Sequence, residues 1–200
     1  GVIYTGRTWG GRGNIIKYNY FSDINNRLGG GLNVIYFDDM ASGDLIYGNI
    51  IEGFRSGYAI LAGGGRDNIM YNNLFVDGYS ALTSDVRTAF MGGAVVNDAN
   101  NNWNLLAKMR DLNIPQVDDY CSANCRSVDG EIDFQLDAYQ KLSQYPDNPA
   151  AYDGVACPAG TTLANLPWEG YNCWLYPQGS EFYDNVGFDV PYFTRNRRNS

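Results

Sequence analysis

The strongest constraint on this chain is an internal repeat. Three segments superimpose: Asn14-Ile15-Ile16-Lys17-Tyr18-Asn19-Tyr20-Phe21, Asp44-Leu45-Ile46-Tyr47-Gly48-Asn49-Ile50-Ile51 and Asn68-Ile69-Met70-Tyr71-Asn72-Asn73-Leu74-Phe75. Each carries an apolar pair, then an asparagine, then a further apolar residue. A second apolar segment stands ahead of each copy: Val2-Ile3-Tyr4, Val34-Ile35-Tyr36-Phe37 and Tyr58-Ala59-Ile60-Leu61. All are rich in β-branched or aromatic residues and bounded by Gly, Asn or Asp, the pattern of short strands. Two or three such strands in each period of roughly 22–30 residues predict an all-β fold, a right-handed parallel β-helix or solenoid of stacked coils. A leucine-rich repeat has a similar period, but its Leu positions are mostly Ile, Val, Tyr or Met here and no helical stripe separates the strands. The recurrent asparagines are expected to stack and hydrogen-bond along the axis, with Asn19, Asn49 and Asn73 in one ladder. A weaker fourth copy, Glu181-Phe182-Tyr183-Asp184-Asn185-Val186-Gly187-Phe188, aligns with its asparagine one place early.

The run from Asn33 to Gly43, with Tyr47-Gly48-Asn49, Gly63-Gly64-Gly65-Arg66-Asp67-Asn68 and Asn72-Asn73-Leu74-Phe75, resembles secreted right-handed parallel β-helix repeat proteins of the pectate-lyase-like superfamily. The resemblance covers residues 1–96 and, loosely, the strand around Asn185. It implies a β-helix that acts on or binds a polysaccharide, as a glycoside hydrolase or a polysaccharide lyase. It also implies a secreted or extracellular location. Many members of that group have no known activity, and the fold hosts many chemistries.

Charge and cysteine divide the chain. The net charge of −8 falls almost entirely after residue 96, and all four cysteines lie there too. Residues 1–96 read as β-helix coils, 97–178 as an acidic, partly helical insertion, and 179–200 as a returning strand with a C-terminal tail. Trp103, Leu106, Ala107 and Arg110 share a helical face after an Asn run that can cap it. Ile132, Leu136, Tyr139 and Ser143 form a second stripe that Pro146 stops. Cys121, Cys125, Cys157 and Cys173 are expected to form two disulfides, which places the chain in an oxidising compartment and leaves three connectivities open. Their spacing lacks the second tight pair of a zinc site. The acidic balance argues against nucleic acid as a partner, and no apolar run is long enough for a membrane-spanning helix.

With no histidine in the chain, Ser-His-Asp and Cys-His mechanisms are excluded. Aligning Ile3, Ile35, Ile60 and Leu82 builds one column from Gly6, Asp38, Gly63 and Asp85. Its neighbour begins Arg7, Asp39, Gly64 and Val86. Strands stack about 4.8 Å apart, so Asp38 and Asp85 are expected roughly 9–10 Å apart across a glycine floor. That separation suits an inverting glycosidase, and it makes Asp38 and Asp85 the candidate catalytic pair. Arg7, Arg66 and Arg87 are candidates to meet sugar hydroxyls or a uronate, and Trp9 and Tyr36 to stack on a sugar ring, with Gly63 as the floor between them. The competing reading of these Asp and Gly residues is turn formation. No cofactor is expected. A calcium ion on Asp38, Asp39 and Asp44 is the weaker alternative, since adjacent strand residues point apart.

Two further functional classes stand beside the hydrolase. One is a lyase using an Arg/Lys/Tyr set. The other is a non-catalytic structural, adhesive or filament-forming solenoid. The chain opens directly on a strand, so end-to-end self-association or missing upstream coils are the partners expected at that edge.

Overall fold

The computed structural model describes residues 1–7, 10–24, 31–85, 138 and 179–197. Three strands make each coil. The first coil holds β1 (Ile3–Gly6), β2 (Ile15–Lys17) and β3 (Tyr20–Phe21); the second holds β4 (Asn33–Asp38), β5 (Leu45–Tyr47) and β6 (Ile50–Glu52). The third holds β7 (Tyr58–Gly63), β8 (Ile69–Tyr71) and β9 (Leu74–Val76), and the fourth β10 (Ser80–Asp85), β11 (Glu181–Tyr183) and β12 (Val186–Phe188). A further strand, β13 (Tyr192–Arg197), stacks on β10. Like strands pair in parallel and form three sheets: A, ordered β1-β4-β7-β10-β13; B, ordered β11-β8-β5-β2; and C, ordered β12-β9-β6-β3. This is the stacking of a parallel β-solenoid. Among the described residues, no helix is long and apolar enough to cross a membrane.

The asparagine ladder holds the turn between sheets B and C. Asn19 Nδ2 donates to Asn49 Oδ1 at 3.0 Å, Asn49 Nδ2 to Asn73 Oδ1 at 2.9 Å, and Asn73 Nδ2 to Asn185 Oδ1 at 3.0 Å. Each of these three residues also donates its peptide N–H to the same oxygen above. Asn49 and Asn73 are buried, so every satisfied amide matters: a buried polar group left unmade costs about 1–3 kcal/mol. The residue just before each rung has left-handed φ: Tyr18 at 55°, Gly48 at 64°, Asn72 at 52° and Asp184 at 50°. Gly, Asn and Asp tolerate that conformation best. At Gly48 a Cβ would also lie 2.7 Å from the Tyr18 ring.

The core is a stack of side chains inside the three sheets. Ile16, Ile46, Met70 and Phe182 come from sheet B and Phe21, Ile51 and Phe75 from sheet C, against Val34, Ile35, Phe37, Ala59, Ile60 and Ala81 of sheet A. Phe54 meets Phe75 edge-on at 6.5 Å, and Phe75, Phe182 and Phe193 continue the aromatic column. Each fully buried Phe or Ile contributes about 1.5–3 kcal/mol by leaving water.

One sequence alignment needs correction. Glu181 pairs with Ile69, not with the Asn68 position, so Asn185 falls in step with Asn73 rather than one place early. Ser180 takes the Asn68 position instead, its Oγ accepting from the Asn68 peptide N–H at 3.2 Å. A short hydroxyl side chain can accept at that site as the Asp44 and Asn68 side chains do in the preceding coils. The two helices expected in 97–178 lie outside the described residues except for Ala138, which is helical and buried. Cys121, Cys125, Cys157 and Cys173 lie outside them as well.

Candidate site at the end of sheet A

Register carries the two carboxylates to one place. Gly6 pairs with Asp38, and Gly63 with Asp85, while β4 and β7 stay in step through Phe37 and Ala62. Just beyond that step, the Met40 N–H donates to the Gly63 carbonyl at 3.1 Å. Asp38, Gly63 and Asp85 therefore occupy one column at successive heights, and strand spacing sets the aspartates about 9–10 Å apart. Alternation puts this column on the face of sheet A opposite Phe37, the face shared by Tyr4 and Tyr36. Among the described residues, the connections from sheet A to sheet B at 39–44 and 64–68 leave at this edge.

Asp38 is the hub. The Tyr4 hydroxyl donates to its Oδ2 at 2.7 Å, and Arg7 Nε lies 3.6 Å from the same oxygen. Arg7 Nε also donates to Asp39 Oδ2 at 3.2 Å. Asp38 and Asp39 thus meet one cation although neighbours in a strand point apart, because β4 ends at Asp38 and the chain turns. Arg7 has a left-handed φ of 62°, an uncommon conformation for a long side chain. Its peptide N–H donates to the Asp39 carbonyl at 2.9 Å, which holds the turn in register. Desolvation of the phenol, reinforced by the hydrogen bond to Asp38, pushes Tyr4 up to about 12, so it stays a donor at any ordinary pH.

The expected residues divide around this hub. Arg7 reaches Asp38, whereas Arg66 is buried in the turn after β7, where its peptide N–H donates to Ser42 Oγ at 3.0 Å. The rings of Tyr36 and Tyr4 meet edge-to-face with centroids 5.4 Å apart, and Tyr36 is half-buried. Trp9 and Arg87 lie outside the described residues. Asp38 and Asp85 are 4% and 2% exposed, while Tyr4 and the Arg7 side chain are each 51% exposed, so the phenol and the guanidinium are the outer members of the group. Among the described residues no three carboxylates converge as a metal site would require. Asp38 and Asp39 face Arg7, and Asp44 faces Asn14.

Sequence reading missed two features here. The Tyr4 hydroxyl is what touches Asp38, and its place two residues before Gly6 is the available signal. Arg12 runs from the first coil over Gly43 of the second to Asp67 of the third, ending in a 2.6 Å ion pair with its side chain fully buried. No sequence motif marks that reach. Protein-family models, curated proteins and solved structures were compared with the chain, and none matches.

Proposed function

We propose that this chain is a right-handed, pectate-lyase-like β-helix domain, secreted, that acts on a polysaccharide at the sheet-A edge as an inverting glycoside hydrolase. The carrying observation is the in-register column Asp38–Gly63–Asp85. Its two strand spacings lie at the long end of the range of about 6.5–9.5 Å that leaves room for a water between acid and base. A right-handed turn is supported by the strong preference of parallel crossovers for that hand. Tyr4 and Arg7 both act on the same oxygen of Asp38, contacts that suit the ionised, water-activating member. Asp85, the other carboxylate of the column, takes the acid role. Arg7 is already shared by two carboxylates, which favours a hydrolase over a lyase that needs a cation for the uronate group.

The test is a polysaccharide screen read in two ways: release of reducing ends, and absorbance of unsaturated uronates. Reducing ends that appear with wild type and vanish in Asp38→Asn and Asp85→Asn variants support the reading. Unsaturated products would replace it with a lyase. A second reading, a non-catalytic solenoid, is favoured by the burial of both carboxylates, and inactivity on every glycan tested would establish it.

A further inference from the structure

A second ladder runs beside the turn that leads into sheet B. Asn14 donates both its peptide N–H, at 3.1 Å, and its Nδ2, at 2.8 Å, to Asp44 Oδ1. The Asp44 N–H donates to Asn68 Oδ1 at 3.0 Å, and the Asn68 N–H goes on to Ser180. The pattern matches the asparagine ladder one turn further along, except that one rung is an acid. Asn68, the next rung, uses its Nδ2 to bond the Ala41 carbonyl at 3.0 Å. Asp44 has an oxygen, Oδ2, in place of that nitrogen. Asp44 is fully buried; Oδ2 makes no hydrogen bond of ordinary geometry, and the Thr5 hydroxyl of β1, equally without one, faces the carboxyl.

We propose that Asp44 is a protonation switch in the fold: as the neutral acid it fills the place of an asparagine in this ladder, and on ionising it loosens the turn that joins Asp38 to sheet B. An ionised carboxylate can only accept, whereas the acid carries an O–H that restores a donor at the amide position. The one charged group that acts on it, Arg12, favours the ionised form, and only weakly. From the turn after β1, Arg12 faces Asp44, but its charge is met by Asp67 of the third coil at 2.6 Å. The other facing groups are uncharged: the Thr5 hydroxyl of β1, Asn14 ahead of β2 and Asn68 ahead of β8. Burial pushes Asp44 up to about 7, although the hydrogen bonds from Asn14, the charge of Arg12 and the Thr5 hydroxyl pull it down. A folded acid raised above its unfolded value binds extra protons in the native state, so stability falls as pH climbs through that interval.

The experiment is urea unfolding of the full chain at pH about 5 and about 8, for wild type and Asp44→Asn. With a folded value near 7, the wild-type folding equilibrium should lose on the order of a hundredfold between those conditions through this group. Asp44→Asn should lack that loss and exceed wild type most at the higher pH. Parallel loss in the two proteins would overturn the proposal. Infrared difference spectra of wild type between the same two conditions give a second readout that does not depend on the variant folding. A buried protonated-carboxyl band should disappear as pH rises, and its absence at the lower pH would equally refute the switch.

Discussion

Between sheets B and C the chain turns in two residues in every coil: 18–19, 48–49, 72–73 and 184–185. Between sheets A and B the described residues turn over 39–44 in the second coil and 64–68 in the third, and Arg12 lies at the same corner of the first. The first corner repeats one device, a left-handed residue followed by an asparagine rung. The second carries Asp38, Asp39, Asp44, Arg12 and Arg66 in buried positions and changes length between the second and third coils. Stacking identical rungs satisfies each buried amide with the one above, so uniformity itself is the stabilising feature at B–C. At A–B the stabilising contacts are unlike groups reaching across coils, and that leaves room for chemistry. Candidate function sits where the repeat is broken.

The largest effect should come from the irregular corner. Asp67→Asn removes the carboxylate from a fully buried guanidinium, and the loss should be about 3–5 kcal/mol in urea unfolding. Arg12→Met should cost less, because the carboxylate it leaves behind keeps some access to water whereas the guanidinium has none; equal losses would mean that this difference in burial does not matter. Next is the regular corner. Asn49→Ala strands the Ile16 and Tyr47 carbonyls and breaks the ladder below Asn73, for a loss on the order of 3 kcal/mol. A loss under about 1 kcal/mol would show that backbone pairing alone carries this turn. Gly48→Ala tests the left-handed position beside it. The strained φ and displacement of the exposed Tyr18 ring should together cost about 1–2 kcal/mol, measurable as a lower unfolding midpoint. At the smallest end, Arg55→Ala removes the surface pair with Asp77 and should leave the midpoint unchanged.

Residues near one another in the repeat were legible from the sequence. The strand segments, the ladder of Asn19, Asn49 and Asn73, and the column of Gly6, Asp38, Gly63 and Asp85 all follow from equal positions in successive periods. A solenoid stacks equal positions directly, so sequence period converts into spatial neighbourhood with little else required. The Glu181 alignment failed where that conversion depended on chemistry, because a serine performs the asparagine's task at Ser180.

Reach and burial were not legible. Arg12 finds Asp67 two coils away, and Tyr4 finds Asp38 through its hydroxyl instead of its ring face. Asp44 reads in sequence as a repeat position and a weak calcium candidate, yet it lies fully buried between two asparagines. Local pattern specifies which positions stack, because strand pairing has a fixed spacing and direction. Whether a long side chain crosses a coil, or a carboxyl keeps its proton, depends on how much water the assembled coils exclude, and that is set only when the sheets close around the core.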